Sequence, residues 1–392
     1  MVSKIAFFCI PAHGHTNPTL EVVKELVKRG NEVWYYSYDT MKDKIESTGA
    51  RYISCDKYDI QMNLKPEDAE RVGKDIAFSM EILVNTTLAL DEAIIEEMKD
   101  WKPDCIVADS MAAWGKMTAF KLNIPFVSST TTFAFNRYSS KIMKQGIIPL
   151  FSMLLSMSKA KKSIKKLRDK GYPVKGVLSM IQNDNETNTI VYTSPEFQPC
   201  AETFSDKYTF VGPSVRQIDY KITKTVTKTI YISLGTVNNQ DSSFFRNCML
   251  ALKDSDMNVI MSVGDVIDMA LLGNIPANFQ VERSVNQIEV LQQVDLFVTH
   301  CGMNSVNEAL YYKVPLILFP QTSEQGGVAY RVNELGAGVY LKDNSVSAIK
   351  EAVKEILNNP IYKKNAEIIA KDFHKCGGPK LAANKILEVA GK

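Results

Sequence analysis

Short apolar runs recur along this chain, and most are followed by a stretch whose apolar positions fall three and four apart. IAFFCI, starting at Ile5, is the first run. After it, a helix is predicted from about Asn17 to Arg29, with Leu20, Val23 and Val27 on one face and Val22 and Leu26 widening the stripe. Glu21, Lys24, Glu25 and Lys28 take the polar side, and Gly30 supplies the stop. NEVWYYSY reads as the next strand, then CIVAD (Cys105 to Asp109), a helix over Trp114 to Phe120, and strands at PFVSST, TIVYTS (Thr189 to Ser194) and YTFVGPS (Tyr208 to Ser214). Strand and helix alternating at this pitch predict an α/β fold with a mostly parallel sheet covered on both faces.

The pattern breaks at VRQIDYKITKTVTK, Val215 to Lys228, a polar and weakly periodic stretch that suits a connection. A second series follows. It comprises TIYISLGT, a helix around Phe244 to Leu252, NVIMSV, FQVERSV, DLFVTH, a helix near Asn304 to Tyr312, PLILFP, a helix from about Gly327 to Leu335, and two closing helices. The expected organisation is a domain over 1–214, a linker over 215–228 and a second domain over 229–392. A length of 392 residues agrees, being more than one core holds comfortably. Neither half repeats the other in sequence.

In open α/β sheets, ligands collect at the carboxyl ends of strands, where loops lead into helix N-termini. Every unusual polar motif here falls at such a position: IPAHGHTNP and the end of IVADS in the first half, SLGT, VTHCGMNS and FPQTSEQ in the second. Two sheets whose active edges face each other would form a cleft.

Composition removes several alternatives. With 46 basic and 44 acidic residues the formal charge is +2, which offers no concentrated basic surface for a nucleic acid. The seven cysteines are scattered without a CxxC pair, arguing against a zinc site or a disulfide framework and for a reducing cytoplasm. No apolar run reaches the roughly eighteen residues of a membrane span, and IAFFCI is too short for a signal-peptide core. One segment, Ile147 to Pro173, couples an apolar run to a lysine cluster. It fits either a solvated surface helix or peripheral contact with an anionic membrane.

Candidate chemistry begins with the chain's four histidines. His15 follows Gly14 at a helix start, and Asp109 closes the CIVAD strand; neighbouring strand ends could join them across the sequence. A histidine held by a buried carboxylate is a competent general base, whereas the alternative makes His15 and Asp109 plain helix-start residues. His13 has no such partner and reads as a loop-shaping or substrate-contacting residue. In VTHCGMNS, His300, Gly302, Asn304 and Ser305 lie between a strand and a helix, where side chains and amides can hold a diphosphate, or where Asn304 or Ser305 simply caps the helix. Glu308, one turn beyond Asn304, could accept both hydroxyls of a ribose. SLGT adds Gly235 and Thr236, and FPQTSEQ offers Glu324 and Gln325 to grip sugar hydroxyls or to cap a helix. A GxGxxG after the first strand, a Walker sequence and a dense acidic cluster are all missing, which disfavours dinucleotide oxidoreduction, P-loop phosphotransfer and metal-assisted hydrolysis.

These motifs, with VNQIEVL and PAHGHTNPTLEVVKELVKRG, resemble those of the inverting UDP-glycosyltransferase superfamily, in particular its bacterial macrolide and flavonoid branch. The resemblance spans nearly the whole chain. It implies the GT-B fold, two Rossmann-like parallel-sheet domains facing across a deep cleft, with the C-terminal helix returning to the N-terminal domain. It implies His15 as the base that deprotonates an acceptor hydroxyl and Asp109 as its orienter. On the donor side it implies His300, Gly302, Asn304 and Ser305 at the diphosphate, Thr236 near the diphosphate or the transferred sugar, Glu308 on the ribose, and Gly235 and Met303 among the donor-binding residues. Gln287 would lie near the nucleoside, with Ser284 and Val285 beside the base, and Glu324 and Gln325 would hold the transferred sugar. Where many relatives place a tryptophan and a proline, this chain has Ser284 and Asn286, and Glu324 stands where plant relatives carry aspartate.

The implied activity is transfer of a hexose, glucose from UDP-glucose, to the hydroxyl of a small lipophilic phenol, flavonoid or macrolide. The nucleotide sugar is a substrate, no cofactor is tightly held and no metal is required. His13, Met62, Phe78, Met80, Phe133, Phe135, Tyr138, Met143 and Phe151 are the acceptor-side candidates, since methionine and aromatic side chains adapt to irregular ligands. Two other outcomes stay open at this level: a membrane lipid as acceptor, and an accessory protein that binds nucleotide sugar without transfer.

Overall fold

β1 (Lys4–Phe8) shows why the first apolar runs become strands buried on both sides. Ile5 and Phe7 point into one core with Cys9, while Ala6 and Phe8 point into another, as a period of two requires. The computed structural model describes residues 2–58, 76–142, 161–174, 176, 183–216, 227–235 and 242–391. The chain divides into two compact units: 1–140 with 146–214 and 376–392, and 141–145 with 215–375.

In the first unit, β1, β2 (Glu32–Ser37), β3 (Arg51–Ser54), β4 (Cys105–Asp109), β5 (Phe126–Thr130), β6 (Thr189–Val191) and β7 (Tyr208–Phe210) form one sheet. Its order is β3-β2-β1-β4-β5-β6-β7, parallel throughout. The order reverses between β1 and β4, so the connections after these two strands leave to opposite faces and open a crevice at their carboxyl ends. One face is covered by the first helix (His13–Lys28) through Val22, Val23 and Leu26, and by the last helix (Gly378–Val389) through Ala382, Ala383 and Ile386. These two helices are also tied by Arg29, which donates to Asn384 Oδ1 at 2.6 Å and to the Lys380 carbonyl at 3.3 Å. The C-terminal helix thus belongs to the N-terminal unit. The other face carries the helices Ile76–Trp101 and Ala113–Leu122.

The second unit repeats the plan. β8 (Thr229–Ser233), β9 (Asn258–Ser262), β10 (Phe279–Glu282), β11 (Leu296–Thr299), β12 (Leu316–Leu318) and β13 (Gly338–Tyr340) are again all parallel, in the order β10-β9-β8-β11-β12-β13. The reversal here lies between β8 and β11. Both sheets therefore share one topology that no sequence repeat announces.

Several sequence-based boundaries shift. The first helix begins at His13, four residues before Asn17, with the Thr16 amide donating to the Ala12 carbonyl at 2.9 Å and Pro18 lying inside the helix. The helix expected from Gly327 begins at Ser323, where Thr322 and Gln325 form a capping box. The lysine-rich segment is described only from residue 161. There Ile164 and Leu167 are buried in the unit's core, while Lys161, Lys162, Lys165 and Lys166 face outward. Among the described residues no helix is long and apolar enough to cross a membrane.

Candidate active site

Phe8 of β1 lies beside Ala108 of β4, so the loop after β1 and the residue after Ala108 meet at the first reversal point. His15, in the first turn of its helix, places Nδ1 2.9 Å from Asp109 Oδ2, although 94 positions separate them. The Asp109 side chain is fully buried and that of His15 is 20% exposed. The other carboxylate oxygen, Oδ1, accepts the Met111 amide at 2.8 Å, which fixes the carboxyl plane. Because Nδ1 must donate to this carboxylate, Nε2 is the proton-accepting nitrogen of the neutral ring. Thr131, just beyond β5, sets its Oγ1 3.1 Å from the same Nδ1.

Beneath this pair lies a floor of buried hydroxyls and a thiol. Thr19 Oγ1 is 2.7 Å from the Tyr35 hydroxyl and donates to the Thr16 carbonyl at 2.8 Å, and Ser129 Oγ donates to Tyr192 Oη at 3.2 Å. Burial first, and the Asp109 charge after it, push the Cys9 thiol up. The Tyr192 phenol is raised by burial first, then by Cys9 and Asp109.

His13 differs from His15 although it is only two residues away. The Lys44 ammonium lies 3.1 Å from its Nδ1 and can only donate there, so the ring's proton sits on Nε2. Burial, and then the Lys44 charge, hold its pKa below the ordinary histidine value. One helical turn thus displays a hydrogen-bond donor at His13 and a proton acceptor at His15.

In the second unit, Gly235 and His300 follow β8 and β11, the two strands at the reversal. Gly235 has φ +77, and a Cβ there would stand 2.6 Å from His300 Cε1; a Cβ on Gly302 would stand 2.6 Å from His300 Nε2. Both glycines therefore leave room for one imidazole. Burial lowers the pKa of His300 to about 4, against a smaller opposing effect of the Ser233 backbone, so the ring is neutral at working pH. The Ser233 backbone lies close enough to favour the charged ring, but Nδ1 makes no hydrogen bond of good geometry among the described residues. Gly302 is the N-cap of the helix Met303–Tyr311, which has neither a side-chain cap nor an acidic residue in its first turn. Such an end favours an anion. The alternative of Asn304 or Ser305 as N-cap is thereby corrected, since both lie inside the helix.

Glu308 is half-buried, and burial raises its pKa to about 7 against the lowering effects of Gln287 and Arg216. Gln287 Nε2 donates to Glu308 Oε2 at 2.6 Å and to Ser305 Oγ at 3.3 Å, while its Oε1 accepts the Tyr231 hydroxyl at 3.3 Å. Ser284 is exposed and Val285 half-buried just ahead of it. Gln325 Oε1 is taken by the amides of Gln321 at 2.7 Å and Thr322 at 3.2 Å, leaving its amide group as the part that can meet a ligand; Glu324 is exposed. The ionised Glu308 is the form that accepts hydroxyl donors, so with its pKa at about 7 a nucleoside, as a probe that donates hydroxyls to it, should bind about tenfold more weakly at pH 6 than at pH 8. Calorimetry across that range checks this, and Glu308→Gln should flatten the profile; an equally steep profile in the variant would remove Glu308 as its origin.

The acceptor candidates divide. Met80 and Phe133 are 2% and 1% exposed, packed in the first unit, so they are core residues and not pocket lining, because large apolar side chains gain most from full burial. Phe78 is half-buried. Phe135 and Tyr138 line a cavity of about 600 Å³, but Asn136, Arg137, Asn183, Asp184, Asn185 and Thr203 make up its other walls, and neither His15 nor Asp109 borders it. Met62, Met143, Phe151 and Thr236 lie outside the described residues. Sequence reasoning does not reach Thr131, Tyr231 or Arg216; the threonine run at the carboxyl end of β5 is the one available signal. Among the described residues, no three His, Cys, Asp or Glu side chains gather as a metal site.

Residues 246–389 match the family model of the erythromycin biosynthesis protein CIII-like C-terminal domain. The chain is 34% identical to the NDP-glycosyltransferase YjiC of Bacillus subtilis (strain 168), over 97% of this chain and 96% of that one. It is 33% identical to the uncharacterized UDP-glucosyltransferase YojK of the same organism, over 99% and 97%. The crystal structure of CalG4, the calicheamicin glycosyltransferase, superposes with a TM-score of 0.81 at 27% identity, covering 100% of this chain and 99% of that one. Two open parallel sheets, each with its polar residues at the reversal point, and relatives of this kind along the full chain define a glycosyltransferase of GT-B architecture. The chain belongs to the UDP-glycosyltransferase superfamily and is related to its macrolide and natural-product glycosyltransferases.

Proposed function

We propose that this enzyme transfers a hexose, glucose from UDP-glucose, to the hydroxyl of a small lipophilic acceptor such as a phenol, flavonoid or macrolide, with inversion. The observation that carries the proposal is the 2.9 Å contact from His15 Nδ1 to the buried Asp109 carboxylate, which leaves Nε2 as the basic nitrogen of a part-exposed ring. The acceptor O–H gives its proton to Nε2 as its oxygen attacks the anomeric carbon, and the bond from that carbon to the diphosphate breaks on the opposite face. An α-linked donor gives a β-glycoside.

The departing diphosphate gains charge. The uncapped amides of the helix Met303–Tyr311, the Asn304 and Ser305 side chains and the neutral His300 ring would hold it through hydrogen bonds placed in advance. Glu308, steadied by Gln287, would take the ribose, and Ser284, Val285 and Asn286 would offer the base small side chains and backbone. Gly235 and Thr236 would border the diphosphate, and Glu324 and the Gln325 amide the sugar. On the acceptor side, His13 would offer an N–H, and Phe78, Phe135 and Tyr138 would supply apolar surface. The names of YjiC and YojK, an NDP-glycosyltransferase and a UDP-glucosyltransferase, support the donor class; the description of the matched family model, erythromycin biosynthesis, supports a macrolide-like acceptor.

The test is a mass-spectrometric screen of UDP-sugars against phenolic and macrolide acceptors in the presence of a chelator, with the anomeric configuration of the product read by NMR. Glucose transfer with β configuration is expected. An α product would overturn inversion, and tight UDP binding without transfer from any nucleotide sugar would mark a binding protein instead of an enzyme.

A further inference from the structure

His15 is held at Nδ1 by two oxygens and not one. Asp109 Oδ2 is 2.9 Å away and Thr131 Oγ1 3.1 Å, and they come from the ends of adjacent strands, β4 and β5, with Asp109 opposite Ser129 in register. Thr131 is 3% exposed. We propose that Thr131 is a positioning residue for His15, its hydroxyl oxygen sharing the Nδ1–H with Asp109 so that the ring plane, and hence the direction of Nε2, is fixed. This rests on the reading of His15 as the base.

A single contact at Nδ1 leaves the imidazole free to trade χ1 against χ2 while keeping that contact. A second acceptor at a different angle removes most of the freedom, and reaction geometry is sensitive to displacements of this size. The second acceptor also acts on charge. Once Nε2 has taken the acceptor's proton the ring is an imidazolium, and a lone pair at Nδ1–H adds to what Asp109 supplies. The other titratable groups near the carboxylate do not compete. Cys9, from the end of β1, and Tyr192, beyond β6, are pushed up by burial and keep their protons, while the Lys44 ammonium lies 3.1 Å from His13 Nδ1.

The test uses the full chain with labelled histidines. Only four are present, so single His→Gln variants assign each signal. Thr131→Val should lower the NMR-measured pKa of His15 by about half a unit or more, and cut kcat for glucosylation of 4-nitrophenol from UDP-glucose about tenfold with KM for the donor little changed. Thr131→Ser, which keeps the hydroxyl, should restore both. If the His15 titration in Thr131→Val, or in Thr131→Ala should the valine misfold, stays at the wild-type position, the role of Thr131 is overturned. If His15→Gln retains full turnover, the reading of His15 as the base falls and Thr131 has nothing to position; an inactive His15→Gln with an unmoved titration in the Thr131 variants removes Thr131 alone.

Discussion

Replacing His15 by glutamine is expected to lower kcat by about 10²–10⁴-fold while leaving the affinity for UDP-glucose within about twofold. The magnitude is what a positioned general base supplies. The split between kcat and binding follows from placement: His15 belongs to the first unit, whereas the groups proposed to hold the donor belong to the second. Asp109→Asn should also be severe, because an amide can turn its NH₂ toward Nδ1 and favour the tautomer with the proton on Nε2. Rapid-quench turnover and calorimetric UDP binding on the same preparations decide the matter. Wild-type kcat in His15→Gln would sink the assignment, and equal losses of turnover and donor affinity would point to damage beyond the base.

The second large effect is expected at Gly235. Valine there meets two penalties at once: a left-handed backbone at φ +77, which a β-branched residue adopts with difficulty, and a Cβ only 2.6 Å from the His300 ring. Strain and overpacking together should cost about 2–5 kcal/mol, lowering the Tm of the second unit and weakening UDP binding. Gly326→Ala is the matched control, since an added Cβ at that helical position meets nothing within 4 Å and a helix prefers alanine to glycine. An unchanged Tm and unchanged UDP affinity in Gly235→Val would show that the clamp on His300 is not constraining.

Much of this site can be read from the chain because its residues sit in local motifs at strand ends, and a parallel sheet brings those ends to one edge. IPAHGHTNP and VTHCGMNS each announce a strand-to-helix turn. Other features resist local reading. Periodicity shows neither that β1 adjoins β4 nor that both sheets reverse at the same relative place, since these are long-range pairings. The helix Ile76–Trp101 goes unpredicted because apolar residues run around most of its surface, and β13 because three residues carry little pattern. Gly338 is the trace β13 does leave: a Cβ there would lie 2.5 Å from the Leu316 carbonyl on the neighbouring strand. Gln325 shows the opposite case. Thr322 and Gln325 have the spacing of a capping box, and that signature locates the helix start four residues ahead of the one that periodicity suggests.

The return of the last helix to the first unit has a consequence for the order of synthesis. Val22, Val23 and Leu26 share their cluster with Ala382, Ala383 and Ile386, all of them buried. Residues up to Ser214 leave the ribosome without Ala382, Ala383 and Ile386, and every strand of the second sheet must emerge before those three side chains join the cluster. Domains ordinarily fold one after another from the N-terminus. In this chain the unit that begins first is completed only after the second unit has intervened, and the helix that carries His15 meets its partner helix only once residues 376–391 have followed.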